Sequence, residues 1–318
     1  MINKILITPK SFQNFKQEPI ELLNQKGYEV IENTTGRTLT EEEIVDYAHH
    51  GVVGMIVGVD PISSSVLNCC KDLKAISKYG VGMDNIDLEV AKKLKIQVKN
   101  TMGTNNISVA ELAIGLMFES TRRLSQTIAN VKSNSWSRSI GSELTGKKVA
   151  VIGGGAIGKE VSKRCSALEM DVAIYDPFFS DQSFLKAYKV RHSEDFNELM
   201  KEADFITLHL PVTEQTKHLI NRDVLSLMKE SAILINTARG ELIDEDALYR
   251  ALVNNDIGFA AQDVYSHEPP EKGDKLISLS NFVLTPHIGA FTNEAVSRMA
   301  LASTKNLLEM LEGVESHA

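Results

Sequence analysis

Residues 149–176, VAVIGGGAIGKEVSKRCSALEMDVAIYD, constrain the fold more than any other stretch, because an apolar strand, a glycine turn, a helix and a second strand ending in an acid follow in order. The strand is Val149–Ile152, and Gly153, Gly155 and Gly158 fill the three positions of G-x-G-x-x-G at the start of the helix. The first glycine permits the tight turn and the second lets backbone amides approach a pyrophosphate. The third lets the helix pack close to the sheet with its N-terminus facing phosphate charge. Asp176 lies 18 residues beyond Gly158, at the end of the strand Val172–Tyr175, where a carboxylate accepts hydrogen bonds from a ribose and repels a 2′-phosphate. The unit predicts dinucleotide binding. NAD is expected rather than NADP, since Pro177, Phe178 and Phe179 supply no cation for the extra phosphate.

A chain of 318 residues has room for about two domains, each with its own core. Its formal charge of −8 lacks the basic surplus of a nucleic-acid-binding protein, so an anionic substrate must be met by local cations. The opening MINKILITPK runs straight into a strand-like apolar run, so no secretory signal is expected, and no apolar run approaches the ~20 residues of a membrane span. Cys69, Cys70 and Cys165 form neither a C-x-x-C pair nor a zinc-like spacing. No metal site is expected; a reduced cytoplasm is, with the thiols as packing residues.

Strand-length apolar runs alternate with amphipathic stretches throughout. Ile5–Ile7, Val52–Val57, Leu73–Ser77 and Ile96–Val98 precede the glycine loop, and Phe205–Leu210, Ala232–Ile235 and Phe282–Leu284 follow it. The alternation predicts an α/β fold with two doubly wound parallel sheets, hence two domains. One long helix is expected over Ser108–Ile128 and an amphipathic one over Asn293–Glu312. The first strand set has no phosphate-loop signature and is the natural place for substrate contacts.

Three later segments each end an apolar run with polar chemistry: ILINTARGELIDEDAL holds Arg239, AAQDVYSHEPP holds Asp263 and Glu268, and VLTPHIGA holds His287. Residues just past the carboxyl ends of parallel strands line the ligand crevice of such sheets, so Arg239, Glu268 and His287 are candidates to converge on a reacting centre. Taken singly, each also reads as an ordinary loop cation, turn acid or strand-end histidine.

Together with SKYGVGMDNID and HLPVTEQTKHLIN, these segments resemble the NAD-dependent D-isomer-specific 2-hydroxyacid dehydrogenase family, including its phosphoglycerate dehydrogenase-like branch, from about residue 50 onward. The resemblance implies a Rossmann NAD-binding domain (99–287) inserted into a flavodoxin-like substrate domain made of residues 1–98 and 288–318. It also implies homodimers formed through the NAD-binding domains. By the same resemblance, Arg239 clamps the substrate carboxylate, His287 is the acid and base, and Glu268 orients and partners that imidazole. The Val81 and Gly82 amides match the loop receiving the substrate's acid group, and Asn105 matches a substrate-side position. On the cofactor side, Gly153, Gly155, Ala156, Ile157 and Gly158 match the phosphate turn and Asp176 the ribose contact. Leu210 and Pro211 match the adenosine side, Thr237 and Ala238 the approach to the nicotinamide, and Asp263 its carboxamide, with Gly289 a further cofactor-binding position.

The resemblance has limits. Phosphoglycerate dehydrogenases place a phosphate-facing arginine in the early loop where this chain reads VGVDPISSSVL, and Ile107 stands where that branch often carries a second basic residue. Lys78 is the nearby cation that could compensate. A small 2-keto acid is therefore expected over a phosphorylated one, with D-3-phosphoglycerate dehydrogenase activity as the alternative. The serine-sensing domain of long phosphoglycerate dehydrogenases is not expected, and Glu268 stands where formate dehydrogenases carry glutamine. A phosphite-oxidising relative keeps the same three catalytic types. From another class, an NAD(H)-sensing corepressor can retain the same residues.

Overall fold

The computed structural model describes residues 3–49 and 51–315, which fall into two units. Unit 1 gathers the described residues up to Asn105 and those from Ala290 onward; unit 2 is Asn106–Gly289. The changeovers lie a few residues beyond those expected at 98/99 and 287/288. The turn after residue 100 stays tied to unit 1, through Thr101 N to Gly80 O at 3.0 Å and Arg298 Nε to Thr104 O at 2.8 Å. Gly289 stays with unit 2 because its amide donates to Asp263 Oδ2 at 2.7 Å.

Unit 1 holds β1 (Lys4–Ile7), β2 (Glu29–Glu32), β3 (Val52–Val57), β4 (Ala75–Lys78) and β5 (Gln97–Asn100) in the order β2-β1-β3-β4-β5, every pair parallel. That is the flavodoxin-like order. All six residues of β3, at the sheet's centre, are buried, as expected of a strand covered on both faces. One face is closed by the helix Asn293–Glu315, whose Val296, Met299, Ala300, Leu307 and Leu311 pack with Ile5, Ile7, Phe12 and Ile56. Burying one such leucine contributes about 1.5–3 kcal/mol.

Unit 2 holds β6 (Lys148–Ile152), β7 (Asp171–Tyr175), β8 (Arg191–Ser193), β9 (Phe205–Leu208), β10 (Ile233–Asn236), β11 (Phe259–Gln262) and β12 (Phe282–Leu284). The parallel order β12-β11-β10-β9-β6-β7-β8 is that of a Rossmann sheet extended by one strand, with its switch point between β6 and β9. Two parallel sheets thus stand where the strand alternation predicted them.

The helix expected over Ser108–Ile128 is two helices, Asn106–Arg122 and Leu124–Lys132. Arg123 breaks the run with left-handed backbone at φ 48°, and Glu119 reaches across to accept from Ser125 N at 3.0 Å and Ser125 Oγ at 2.6 Å. Just before the break, Ser120 Oγ donates to Leu116 O and Thr121 Oγ1 to Met117 O, contacts that compete with the helical ladder. Cys70 and Cys165 are buried, which pushes their thiols up to about 11 and about 12, and so are inert packing residues; Cys69 is exposed. No helix among the described residues is long and apolar enough to cross a membrane, and none of their His, Cys, Asp and Glu side chains group as a metal site.

Candidate functional site

The glycine turn links β6 to the helix Ala156–Ala167. Gly153 takes φ 102°, and a Cβ there would lie 2.3 Å from His209 O, because the chain leaving β9 lies against the turn and its His209 amide donates to Ile152 O at 2.7 Å. A Cβ at Gly158 would lie 1.9 Å from Gly153 O, so the helix is seated directly on the turn. Gly155 differs: a Cβ there would meet no protein atom within 4 Å. Nothing in the protein demands glycine at this helix N-cap, whereas a pyrophosphate approaching the amides of Ala156 and Ile157 does. The turn therefore fits a dinucleotide.

Asp176 follows β7 with its carboxylate fixed from both sides: Oδ2 accepts from Gly154 N at 2.8 Å and Oδ1 from Phe178 N at 2.9 Å. Phe179 packs over Gly154 and stacks near His192, whose Nε2 donates to Asp176 O at 3.1 Å. The nearby Lys159 is paired with Asp181 at 2.6 Å. A ribose diol would meet a preset acceptor here.

At the carboxyl ends of β9, β10 and β11, three buried polar atoms have no hydrogen-bond partner: His209 Nδ1, Thr237 Oγ1 and Gln262 Nε2. Burial pushes the His209 imidazole down to about 3, so it is neutral, with Nε2 2.8 Å from Thr207 Oγ1. Orphaned atoms at such an edge are a mark of a ligand site. Leu210 and Pro211 lie beside them as the chain leaves β9, and Thr216 Oγ1 donates to Pro211 O at 2.7 Å.

Glu268 and His287 meet, with His287 Nδ1 2.7 Å from Glu268 Oε2, while Glu268 Oε1 accepts from Tyr265 N at 2.9 Å. Burial alone would raise the Glu268 carboxyl. The His287 hydrogen bond, the Tyr265 amide and the charges of His287 and Arg239 outweigh it and hold the group below its ordinary value. The influence of Arg239 brings the third candidate into the same neighbourhood. Arg239 follows Asn236–Ala238 with extended backbone, its Nη1 donating to Ala238 O at 2.7 Å. A Cβ on the next residue, Gly240, would lie 2.0 Å from Tyr265 C, so the Arg239 and Glu268 loops pack backbone against backbone.

Asp263 is 1 % exposed and already engaged. Its Oδ1 accepts from Thr285 Oγ1 at 2.6 Å and Ile288 N at 2.8 Å, and its Oδ2 from Gly289 N. Burial raises its carboxyl against those hydrogen bonds and the charge of His287. Asp263 thereby anchors the turn in which His287 takes left-handed backbone at φ 53°. Sequence reasoning missed this anchoring, along with Thr285, Asn236 and Gln262. The available signal was a polar residue closing an apolar strand, as in ILIN and FAAQ.

In unit 1, the loop after β4 is tied to the turn after β5 by Gly80 N to Thr101 Oγ1 at 2.9 Å and Asn100 Nδ2 to Val81 O at 2.7 Å. The Val81 and Gly82 amides donate to no acceptor among the described residues. Asn105 is buried with Oδ1 unpartnered. Lys78, the candidate substitute for the missing arginine, is 5 % exposed and turned inward, its Nζ donating to Gly58 O and, at 2.8 Å, to Asn85 Oδ1. Asp60 is equally structural, accepting from Thr8 Oγ1, Leu39 N and Gly58 N.

Residues 114–289 match the family profile described as D-isomer specific 2-hydroxyacid dehydrogenase, NAD binding domain. The chain is 40% identical over 312 residues to a D-3-phosphoglycerate dehydrogenase of Methanocaldococcus jannaschii, an alignment covering 98% of this chain and 58% of that protein. It is 38% identical over 294 residues to a hydroxypyruvate reductase of Thermotoga maritima, covering 91% of this chain and 93% of that one. The chain thus spans little more than half of the first relative and nearly all of the second. Among solved structures, the TT0316 protein of Thermus thermophilus superposes with a TM-score of 0.87 at 34% identity, covering 98% of this chain and 97% of that chain.

Proposed function

The chain belongs to the D-isomer specific 2-hydroxyacid dehydrogenase family, and from that premise we propose that it transfers a hydride between NAD(H) and a small D-2-hydroxy acid or 2-keto acid. The observation that carries this reading is the Glu268–His287 contact at 2.7 Å with Arg239 close enough to bias the same carboxylate. With its pyrophosphate held at the glycine turn, NAD(H) would supply or accept the hydride through its nicotinamide. Arg239 holds the substrate carboxylate through paired N–H donors. Glu268 takes the His287 Nδ1 proton in a hydrogen bond, which leaves Nε2 to face the reacting oxygen. In reduction that nitrogen gives its proton to the keto oxygen; in oxidation it removes the hydroxyl proton. We assign Val81, Gly82 and Asn105 to substrate binding. The dinucleotide contacts fall to Gly153, Gly155, Ala156, Ile157, Gly158, Asp176, Leu210, Pro211, Thr237, Ala238 and Gly289. Asp263 keeps acceptor capacity for the carboxamide beyond its three loop contacts.

Two choices within this reading are tested by one survey of substrates and cofactors. The fixed Asp176 carboxylate supports NAD(H) over NADP(H), by at least about tenfold in kcat/KM. Asp176→Ala is expected to relax that ratio, and equal efficiency with both cofactors in the unaltered protein would refute it. The inward-turned Lys78 supports small unphosphorylated keto acids such as glyoxylate, hydroxypyruvate and pyruvate over phosphohydroxypyruvate. The likeness to phosphoglycerate dehydrogenases favours the opposite order, and a strong preference for the phosphorylated substrate would decide for it. Tight NADH binding with no turnover on any keto acid would mark a sensor.

We also propose that two copies pair through their NAD-binding units. The helix Leu124–Lys132 has no buried residue, its Leu124, Ile128 and Val131 form an exposed apolar stripe, and Trp136 and Ile140 in the segment after it are exposed as well. A solvent-facing stripe of this kind in a single chain calls for a partner surface. Light scattering is expected to report a dimer that Trp136→Lys weakens; a monomer at micromolar concentration would end the proposal.

A further inference from the structure

The Arg239 turn hangs from a buried polar residue at a strand end, Asn236, the last of β10. Asn236 is fully buried, and both ends of its carboxamide are used on the same turn. Oδ1 accepts from Ala238 N at 3.0 Å, an Asx-type contact, and Nδ2 donates to Arg239 O at 2.8 Å. Register sets Asn236 directly opposite Gln262, the last residue of β11, which is also fully buried, and Nδ2 lies 3.4 Å from Gln262 Oε1. The two amides form a rung across β10 and β11 beneath the Arg239 turn. Two apolar side chains of similar size would fill the same space, so packing alone does not account for a carboxamide at each position.

We propose that Asn236, braced by Gln262, is a positioning residue that sets the direction in which Arg239 presents its guanidinium to the substrate. The proposal rests on Arg239 being the carboxylate clamp. The carbonyl of Arg239 is held by Asn236 while the following Gly240 is pressed against the Tyr265 carbonyl carbon. With the backbone caught on both sides, the Arg239 Cα has one orientation. Losing the Asn236 donor frees one side, and a guanidinium at the end of a long side chain amplifies a small backbone rotation at its root. Replacement by aspartate is the sharpest probe. It keeps the size and the acceptor for Ala238 N but sets a second oxygen against Arg239 O, where the amide had donated.

The test uses the full chain with NADH and the best keto acid from the survey. Asn236→Asp, and Asn236→Ala and Gln262→Met in case the buried charge prevents folding, are each measured for KM and kcat, and the first and last also for NADH affinity. Asn236→Asp, which keeps the acceptor for Ala238 N, is expected to raise KM for the keto acid about tenfold and to lower kcat, with NADH affinity within about twofold; Asn236→Ala, which also frees the Ala238 amide, is read by keto-acid KM and kcat alone. In an Arg239→Ala background the same substitutions are expected to have no further effect, because the group they aim is gone. A merely structural role would give effects that persist in that background and, in Asn236→Asp, extend to NADH, and either result overturns the proposal. A second arm does not depend on turnover: the Arg239 Nε–H resonance, assigned by its loss in Arg239→Ala, is expected to move in Asn236→Ala. An unmoved resonance overturns the proposal even if the unaltered protein is active. If the unaltered protein reduces no keto acid but the resonance moves, the proposed activity fails while the positioning role stands.

Discussion

Replacing His287 with alanine is expected to lower turnover roughly 10²- to 10⁴-fold while leaving NADH affinity nearly unchanged, because a general acid is lost and the glycine turn is not touched. The geometry separates the two outcomes. His287 is exposed, bonded to Glu268 through Nδ1, and held by a turn anchored at Asp263, so shortening its side chain leaves the Ile288 and Gly289 contacts to that carboxylate in place. Glu268→Gln tests the pair from the other side. Glu268 sits below its ordinary value despite burial, so at neutral pH it is a carboxylate and an acceptor for Nδ1–H. The acid limb of keto-acid reduction is therefore expected to follow protonation of Glu268, and Glu268→Gln, which has no such proton to take up, is expected to lose that limb. Stopped-flow reduction across pH 5–9 and fluorescence titration with NADH supply the measurements. Near-normal turnover in His287→Ala, or an acid limb that persists in Glu268→Gln, rejects the assigned roles while leaving family membership intact.

The parts of this molecule that were legible in its sequence are those whose determinants lie close together along the chain. The glycine turn and Asp176 belong to one strand-helix-strand unit, and the contact of Asp176 with Gly154 N spans only that unit. The central strands β3, β6 and β9 were legible because burial on both faces makes them continuous apolar runs. Of the four edge strands, β5 and β12 were legible as Ile96–Val98 and Phe282–Leu284, whereas β2 reads EVIE and β8 reads RHS, too short and too charged to stand out from loops; the interior β11 reads FAAQ. The break at Arg123 was invisible because the apolar spacing of Ser108–Ile128 runs on through it, and what ends the first helix is the left-handed backbone at Arg123, which Glu119 spans by reaching forward to Ser125. Arg239, Glu268 and His287 came forward as candidates at strand ends, but their roles came from resemblance. Their meeting depends on the order of β10, β11 and β12, which local pattern does not encode. Lys78 shows the opposite limit: the sequence offered a cation in a plausible place, and the fold turned it inward toward Gly58 and Asn85.

Arg239→Ala is expected to differ from His287→Ala in kind, raising KM for the keto acid as well as lowering kcat, because a carboxylate clamp acts in the ground state and the transition state alike. Hydrogen bonds to a charged group contribute about 1.5–3 kcal/mol each, so losing a bidentate pair costs roughly 10²- to 10⁴-fold in kcat/KM. Arg239→Lys keeps the charge and loses the fork, and is expected to recover only part of that loss. The guanidinium also helps hold Glu268 ionised, so the alanine variant removes one of the charges that offset burial of that carboxyl. The acid limb of the pH profile is therefore expected to move to higher pH in Arg239→Ala, since Glu268 then takes up its proton at a higher pH and stops accepting from His287. Binding of oxamate, an unreactive mimic of a 2-keto acid, to the NADH-loaded protein isolates the ground-state share, and calorimetry is expected to find it reduced at least tenfold. Unchanged oxamate affinity alongside reduced kcat would mean that Arg239 stabilises only the developing charge on the reacting oxygen.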